Sequence, residues 1–118
     1  MIVKGSCHCG KVQFELDTAP EEVTDCNCSI CRRYGTLWAY YSPRQVRITQ
    51  AVPTETYQWD DRSLYFHRCA ECGCVTHWSP VDATRDRMGV NANLLPLAVL
   101  AAARVHFLDG AGWGDYTH

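Results

Sequence analysis

The sequence predicts a small, mostly β domain with an antiparallel core and one or two short helices. Three observations support this fold class: β-rich runs recur along the chain, only two segments have helical character, and cysteines group at the turns. Many short strands separated by turn residues are typical of an all-β or mostly β domain. The length of 118 residues suits a single domain that spans residues 1–118.

Eight segments have the alternating or β-branched composition of strands. They are residues 11–16, 37–42, 45–49, 55–59, 63–68, 75–79, 87–92 and 104–108. Each run has five or six residues, which is the usual length of a strand in a globular protein.

Two segments predict helices instead. The stretch "SICRRYG" predicts a short helix that begins near Ser29 and ends at Gly35, because serine favours a helix start and glycine a helix end. A second helix is predicted from Pro96 to about Ala103, with proline in the first turn. The apolar run "LLPLAVLAAA" in this region is too short to span a bilayer, so we expect a buried helix and no membrane segment.

The charge of the chain argues against nucleic acid as a partner. The formal net charge is -2, and no cluster of basic residues is larger than the pair Arg32 and Arg33. The N-terminal stretch "MIVKGSC" has Lys4 in its only apolar start, which does not resemble a signal peptide. We therefore expect a cytoplasmic protein, in which closely spaced cysteines are more often metal ligands than disulfides.

Two of the three cysteine groups, "GSCHCGK" and "RCAECGC", place a glycine directly after a cysteine, at Gly10 and Gly73. A glycine with positive φ lets the chain curl so that several amides face the thiolates, as a zinc knuckle requires. Two knuckles make one closed tetrahedral site, whose ligands would be Cys7, Cys9, Cys69 and Cys72. Because four thiolates leave no position for a substrate, this zinc is predicted to be structural.

The middle group, "CNCSICRR", contains Cys26, Cys28 and Cys31, has no such glycine, and continues into Arg32 and Arg33. A helix N-terminus and nearby guanidinium groups lower the pKa of thiols and prepare them for metal or redox chemistry. A zinc ion held by three cysteines would keep its fourth position for water or an added thiol. That is the arrangement of a catalytic zinc site.

Other interpretations of the middle group are a second closed zinc site, completed by Cys74 or a histidine, and a redox pair without metal. Cys74 could also be a small buried residue or a spare thiol. His67 and His77 fall in strand-like runs and could lie beside an open metal site. The sequence shows no Ser/His/Asp order, phosphate-binding glycine loop or pair of catalytic carboxylates.

The segments "GSCHCGKVQFEL", "CNCSICRRYG" and "FHRCAECG" together resemble the family of glutathione-dependent formaldehyde-activating enzymes and centromere protein V. The resemblance covers roughly Lys4 to Gly73 and depends on three cysteine motifs in the family's order. Farther along, "RMGVNANLL" and "VHFLDGAGW" resemble the family's C-terminal strands and its late tryptophan, here Trp113.

This resemblance implies a β-tent fold, shared in outline with methionine-R-sulfoxide reductases and a Rab-binding zinc chaperone. It implies two zinc ions per chain, a structural one on the four knuckle cysteines and a catalytic one on the middle three. In the family's named activity, glutathione adds to formaldehyde and gives S-hydroxymethylglutathione, a carbon-sulfur lyase reaction. The expected partners are a small thiol and a small aldehyde, and Arg32, Arg33, Arg44 or Arg47 could pair with carboxylates of the thiol.

Two positions depart from the formaldehyde-activating pattern. The run "RRYG" after Cys31 lacks the small polar residue before glycine and is closer to the branch of centromere protein V, and Cys74 stands where the family commonly has serine or threonine. The alternative functions are therefore a zinc-stabilised binding module or thiol carrier, and a thiol-dependent reductase of the methionine sulfoxide type.

Overall fold

A computed structural model describes residues 2–110, so the predicted counterpart of the late tryptophan, Trp113, lies outside the described residues. The described chain has ten strands, two α-helices and two short 3-10 turns. The strands are β1 Val3–Ser6, β2 Val12–Leu16, β3 Glu22–Cys26, β4 Trp38–Tyr41, β5 Val46–Gln50, β6 Thr54–Tyr57, β7 Leu64–Cys69, β8 Val75–Pro80, β9 Met88–Asn91 and β10 Arg104–Leu108. The helices are α1 Ser29–Tyr34 and α2 Leu97–Ala102, and the 3-10 turns are Pro43–Gln45 and Ala92–Leu94.

The strands form two sheets. The smaller sheet has the order β1-β2-β5, and the larger one has the order β10-β3-β4-β9-β8-β7-β6. Antiparallel pairing dominates, and among the described strands only β10 and β3 pair in parallel. The predicted fold class, a mostly β domain with one or two short helices, is confirmed.

Each of the eight predicted runs overlaps a strand, whereas β1 and β3 have no counterpart in the prediction. β1 is only four residues long and contains Lys4 and Gly5, which weaken the β signal of its sequence. β3 has the sequence "EVTDC" and is held between β4 and β10, so its partners determine its conformation more than its own composition does. A strand whose conformation is determined by its neighbours in the sheet need not have a strand-like pattern in its own sequence.

The main core lies between the sheets. Phe14 and Leu16 of β2 contribute to it from the small sheet, and Val23, Ala39 and Val90 contribute from the large one. Each of the large apolar side chains is almost fully buried, which is worth about 1.5–3 kcal/mol per residue relative to exposure.

Gly5 of β1 allows the ring of Phe14 to lie directly against the backbone. A Cβ atom at this position would lie 2.4 Å from two carbons of that ring. The glycine that weakens the strand signal of β1 is therefore required for the packing of this core.

The helix α1 ends as predicted, because Gly35 adopts a left-handed conformation with φ of 68° and donates its N–H to the Cys31 carbonyl. The prediction that the second helix is buried is wrong. None of the residues of α2 is fully buried, and Leu97 is 83% exposed. Only one side of α2, with Val99 and Leu100, packs on the main core, so its composition overstates its burial. No helix within residues 2–110 has the length and hydrophobicity needed to cross a membrane.

Candidate metal centres and cavity

The two knuckles bring four cysteines together, as their spacing predicts. Cys7 and Cys9 lie in the turn after β1, Cys69 ends β7, and Cys72 lies in the turn that follows. All four sulfur atoms lie within 4.8 Å of one another. The Sγ atom of Cys9 is 3.6 Å from the Sγ atoms of both Cys7 and Cys69, close to the roughly 3.8 Å between ligands of a tetrahedral zinc–thiolate site.

Backbone amides face these sulfur atoms. The N–H of Val12 donates to Cys7 Sγ at 3.3 Å, and the N–H of Glu71 donates to Cys69 Sγ at 3.4 Å. The amides of Cys74 and Cys9 also donate to Cys72 and lower the pKa of its thiol to about 5, although burial opposes the shift. Donors aimed at sulfur stabilise thiolates, which are the form that binds metal.

The knuckle glycines have the backbone conformation that the sequence predicts. Gly10 has φ of 82° and Gly73 has φ of 79°, both in the left-handed region. A residue with a Cβ atom is disfavoured there, which explains why glycine follows the last cysteine of each knuckle. The geometry of the four-cysteine cluster fits a zinc ion.

The middle cysteines form a second, separate cluster. Cys26 ends β3, Cys28 is the residue just before α1, and Cys31 lies within α1, so one strand-to-helix connection supplies all three. Their sulfur atoms lie within 4.8 Å of one another, and all three residues are buried. Three buried thiols this close together have the chemistry of a metal site.

Hydrogen bonds distinguish the three thiols of this cluster. The Cys31 thiol donates to Cys26 and, with the amides of Cys28 and Gly110, lowers the pKa of Cys26 to about 6 against the effect of burial. The same hydrogen bond, together with burial, raises the pKa of Cys31. Trp38 donates its indole N–H to Cys31 Sγ at 3.3 Å. Bound metal would replace the shared proton, and the N–H donors would then face the thiolates.

No fourth ligand atom from a Cys, His, Asp or Glu of residues 2–110 joins this cluster within 4.8 Å. Cys74 lies elsewhere, packed near Cys7 and Cys69 at the four-cysteine cluster. The alternative in which Cys74 closes the second site is therefore not supported by the geometry.

The histidines also lie away from the three-cysteine cluster. Phe66 and Trp78 pack against that cluster. Because successive residues of a strand point to opposite faces, His67, which follows Phe66, and His77, which precedes Trp78, point away from it. The rings of His67 and His77 stack with centroids 4.1 Å apart. His67 hydrogen-bonds to Thr54 at 2.8 Å and to Ser79 at 2.7 Å, which accounts for both of its ring nitrogens.

A cavity of about 320 Å³ opens above the three cysteines. Its walls are mostly aromatic and apolar, and charged residues stand on two loops. The lining residues are Cys26, Cys28, Ile30, Cys31, Trp38, Tyr40, Trp59, Asp60, Asp61, Ser63, Leu64, Phe66, Trp78, Arg85 and Leu108. A pocket with apolar walls, a few polar groups and reactive thiols is the usual form of a small-molecule site.

The structure does not bring the predicted substrate-binding arginines, Arg32 and Arg33, to this cavity. Both are exposed on α1, and Arg33 donates to the Ser29 carbonyl at 2.9 Å. Arg44 pairs with Asp86 at 3.2 Å, Arg47 pairs with Asp17 at 2.8 Å, and neither arginine lines the cavity. Substrate binding by these residues stays a prediction.

The cavity walls include residues that the sequence analysis did not identify. Arg85, Asp60 and the aromatic residues come from different strands and loops, so no motif links them in sequence. Gly110 was also missed. A Cβ atom on Gly110 would lie 2.9 Å from Cys26 Sγ, so glycine allows the chain to pass directly over the cluster.

Comparison with known proteins agrees with these features. The family model described as glutathione-dependent formaldehyde-activating enzyme matches residues 2–107. A crystal structure of a Rhodobacter sphaeroides protein is similar, with 29% sequence identity and a TM-score of 0.69 over 87% of this chain and 99% of that chain. The resemblance seen in the cysteine motifs is thereby confirmed. The chain belongs to the family of glutathione-dependent formaldehyde-activating enzymes.

Proposed function

We propose that this protein is a zinc-dependent enzyme of the carbon-sulfur lyase type, which joins a small glutathione-like thiol to a small formaldehyde-like aldehyde. The observation that carries the proposal is the cluster of Cys26, Cys28 and Cys31 at the floor of a cavity, with no fourth ligand among residues 2–110. Family membership supports the pair of substrates. None of the four knuckle cysteines lines this cavity, and we propose their cluster as a structural zinc site.

Zinc on the three cysteines would supply the positive charge that keeps a substrate thiol deprotonated near neutral pH. The chain supplies the surroundings for the reaction. Trp38, Phe66 and Trp78 form an apolar wall around the cysteines. By excluding water, this wall strengthens the electrostatic interactions of the site and holds thiol and aldehyde together.

In the reaction, the thiolate sulfur attacks the aldehyde carbon, a carbon–sulfur bond forms, and the carbonyl π electrons move to oxygen. That oxygen must then receive a proton. Tyr40 lines the cavity, and burial raises the pKa of its hydroxyl, although a hydrogen bond from Thr24 opposes the shift. A neutral tyrosine whose oxygen accepts from Thr24 keeps its own proton free to donate, so we assign Tyr40 as the donor to the aldehyde oxygen. Solvent takes up the proton that the thiol releases and returns one to Tyr40, so the reaction has no net proton change.

The proposal is tested by following hemithioacetal formation from glutathione and formaldehyde by NMR exchange spectroscopy. We expect zinc-loaded protein to accelerate the reaction over its spontaneous rate, and Cys31→Ala to abolish the acceleration while circular dichroism stays unchanged. Native mass spectrometry should find two zinc ions in the parent protein and one in the variant. Cys74→Ala is the matched control, because it removes a cysteine outside both clusters.

Two results would contradict the proposal. If the zinc-loaded protein adds nothing to the spontaneous rate with any small thiol, the chain is a binding module or thiol carrier. If activity persists after zinc is removed from the three-cysteine cluster, the chemistry belongs to the cysteines themselves, as in a thiol-dependent reductase.

A further inference from the structure

Two loops place opposite charges at the cavity. The loop between β6 and β7 contributes Asp60, and the loop between β8 and β9 contributes Arg85. Both residues line the cavity that the three cysteines close from below, and both are exposed to solvent. Unlike charges on two sides of one cavity can each bind the opposite charge of a ligand.

The guanidinium of Arg85 is held over an aromatic wall. Its Cζ atom lies 5.5 Å from the ring centroid of Trp78, which positions the charge without using its hydrogen-bond donors. The ion pairs within residues 2–110 do not include Arg85. Its donors therefore remain available to a carboxylate of a ligand.

The loop that carries Asp60 has an unusual backbone. Asp60 and Arg62 have φ of 56° and 57°, in the left-handed region that residues other than glycine seldom adopt. Local hydrogen bonds hold this turn, since Gln58 bonds to Arg62 and the Ser63 N–H donates to Asp61 at 3.1 Å. Asp60 is in none of the ion pairs found among residues 2–110.

The two loops lie near enough to interact electrostatically. Hydrogen bonds from Ser63 lower the pKa of Asp61, and the positive charge of Arg85 lowers it further. The guanidinium therefore acts on the carboxylate next to Asp60 without forming an ion pair with it. A group that carries a negative and a positive charge a few ångströms apart could contact both loops.

We propose that Arg85 binds the carboxylate and Asp60 binds the ammonium group at the γ-glutamyl end of a glutathione-type thiol. This inference depends on the proposed function, because it assigns the specificity of the same cavity. The γ-glutamyl end carries both charges on one carbon, whereas the glycyl end carries a carboxylate alone. Arg85 thereby takes the role that the sequence predicted for Arg32 and Arg33, which lie outside the cavity lining.

The test uses four thiols that differ only in these two charges. They are glutathione, glutaryl-cysteinylglycine without the ammonium group, γ-aminobutanoyl-cysteinylglycine without the γ-glutamyl α-carboxylate, and butanoyl-cysteinylglycine without either group; all four keep the glycyl carboxylate. Binding to zinc-loaded protein is measured by isothermal titration calorimetry, and KM and kcat are measured with formaldehyde. The proteins are the parent chain, Arg85→Gln and Asp60→Asn.

We expect Arg85→Gln to raise Kd and KM about 5- to 10-fold for glutathione and the glutaryl compound, which carry the γ-glutamyl α-carboxylate. The Kd and KM of the other two thiols should not change. Asp60→Asn should raise Kd and KM by a similar factor, but only for glutathione and the γ-aminobutanoyl compound, which carry the ammonium group. The kcat values should change little, because neither charge touches the reacting atoms.

The control variants are Arg104→Gln and Glu22→Gln, which make the same charge changes in a pair 3.2 Å apart at the other end of β10 and β3. They should alter no Kd. If either cavity variant weakens all four thiols equally, or none of them, the inference is wrong even if turnover persists. If all four thiols bind in the expected order without turnover, the proposed reaction fails and the binding assignment stands.

Discussion

Trp38 shows how a single residue can define the environment of a candidate metal site without being one of its possible ligands. Its side chain is almost fully buried, donates to Cys31 Sγ, and packs beside Phe66 with ring centroids 6.1 Å apart. An N–H donor to sulfur withdraws charge from the thiolate and orients it. Gly110 acts on Cys26 in turn, through its amide and its lack of a side chain.

His77 is the residue for which we predict the strongest effect of pH on stability. Burial, together with a smaller effect of the nearby His67, lowers its pKa to about 3. In the unfolded chain the His77 imidazole takes up a proton with a pKa near 6.5. Between pH 6.5 and pH 3 the unfolded chain therefore binds more protons than the folded chain. The contribution of His77 to stability is complete above pH 6.5 and falls as the pH decreases through this window.

The measurement is urea unfolding at several pH values for the parent protein and His77→Gln. From pH 6.5 to pH 4.5 the parent should lose about 2–3 kcal/mol more than the variant. Loss of metal at acidic pH affects both proteins equally, because both keep every cysteine. Equal slopes for the two proteins would show that the imidazole of His77 is not buried in its neutral form.

At the scale of single residues, the sequence predicts the cysteines because a knuckle is local and its spacing can be read directly. The residues of the cavity wall could not be predicted in this way. Phe66, Trp78 and Arg85 contribute to one surface because β7 and β8 belong to the same sheet as β4, the strand that carries Trp38, with β9 between β4 and β8. The arginines next to the cysteines in sequence, Arg32 and Arg33, point elsewhere.

Among the structural elements, the knuckle turns depend most on one backbone conformation. Gly73 has φ of 79°, and no atom lies within 4 Å of the position that a Cβ would occupy. Gly73→Ala should therefore cost only the backbone penalty, about 1–2 kcal/mol of unfolding free energy. Gly73→Asn should cost less, because asparagine tolerates the left-handed region better.

Chemical denaturation of the zinc-loaded variants measures both costs. Gly89→Ala is an informative comparison, since its Cβ would lie 2.2 Å from Trp78 Nε1 and would clash. We expect Gly89→Ala to destabilise the fold more than Gly73→Ala does. If Gly73→Ala and Gly73→Asn were both neutral, the left-handed turn would not be required by the knuckle.

The elements themselves were largely predictable, and the exceptions have physical causes. Strands with alternating composition were found, but β1 and β3 depend on their partners more than on their composition. The apolar residues of α2 predict a buried helix, but composition alone does not determine how much of a helix surface other elements cover. Its position at the surface is determined by the sheets on which it packs.

For the whole molecule, the four-cysteine cluster connects the two sheets. Cys7 and Cys9 follow β1 of the small sheet, whereas Cys69 ends β7 of the large sheet and Cys72 follows it. As a zinc site, the cluster would join positions about sixty residues apart and contribute directly to the free energy of folding. The three-cysteine cluster lies within one connection and would contribute less.

This difference predicts unequal effects of two conservative variants. Cys9→Ser should lower the melting temperature by more than about 10 °C, because it removes a ligand that joins the sheets. Cys9 is exposed, so the substitution does not disturb the core. Cys28→Ser should lower the melting temperature much less. Equal effects, measured by differential scanning calorimetry on zinc-loaded proteins, would contradict the division into structural and catalytic sites.

The parallel pairing of β10 with β3 has a consequence for how the protein is made. The two strands are 82 residues apart in sequence, and Leu108, which lines the cavity, pairs with Cys26. A ribosome adds about 5–20 residues per second, so roughly 4–16 s pass between the synthesis of Cys26 and that of its neighbour in the sheet. During that interval the three thiols have no complete wall around them. Metal loading or oxidation of the nascent chain therefore competes with the completion of the cavity.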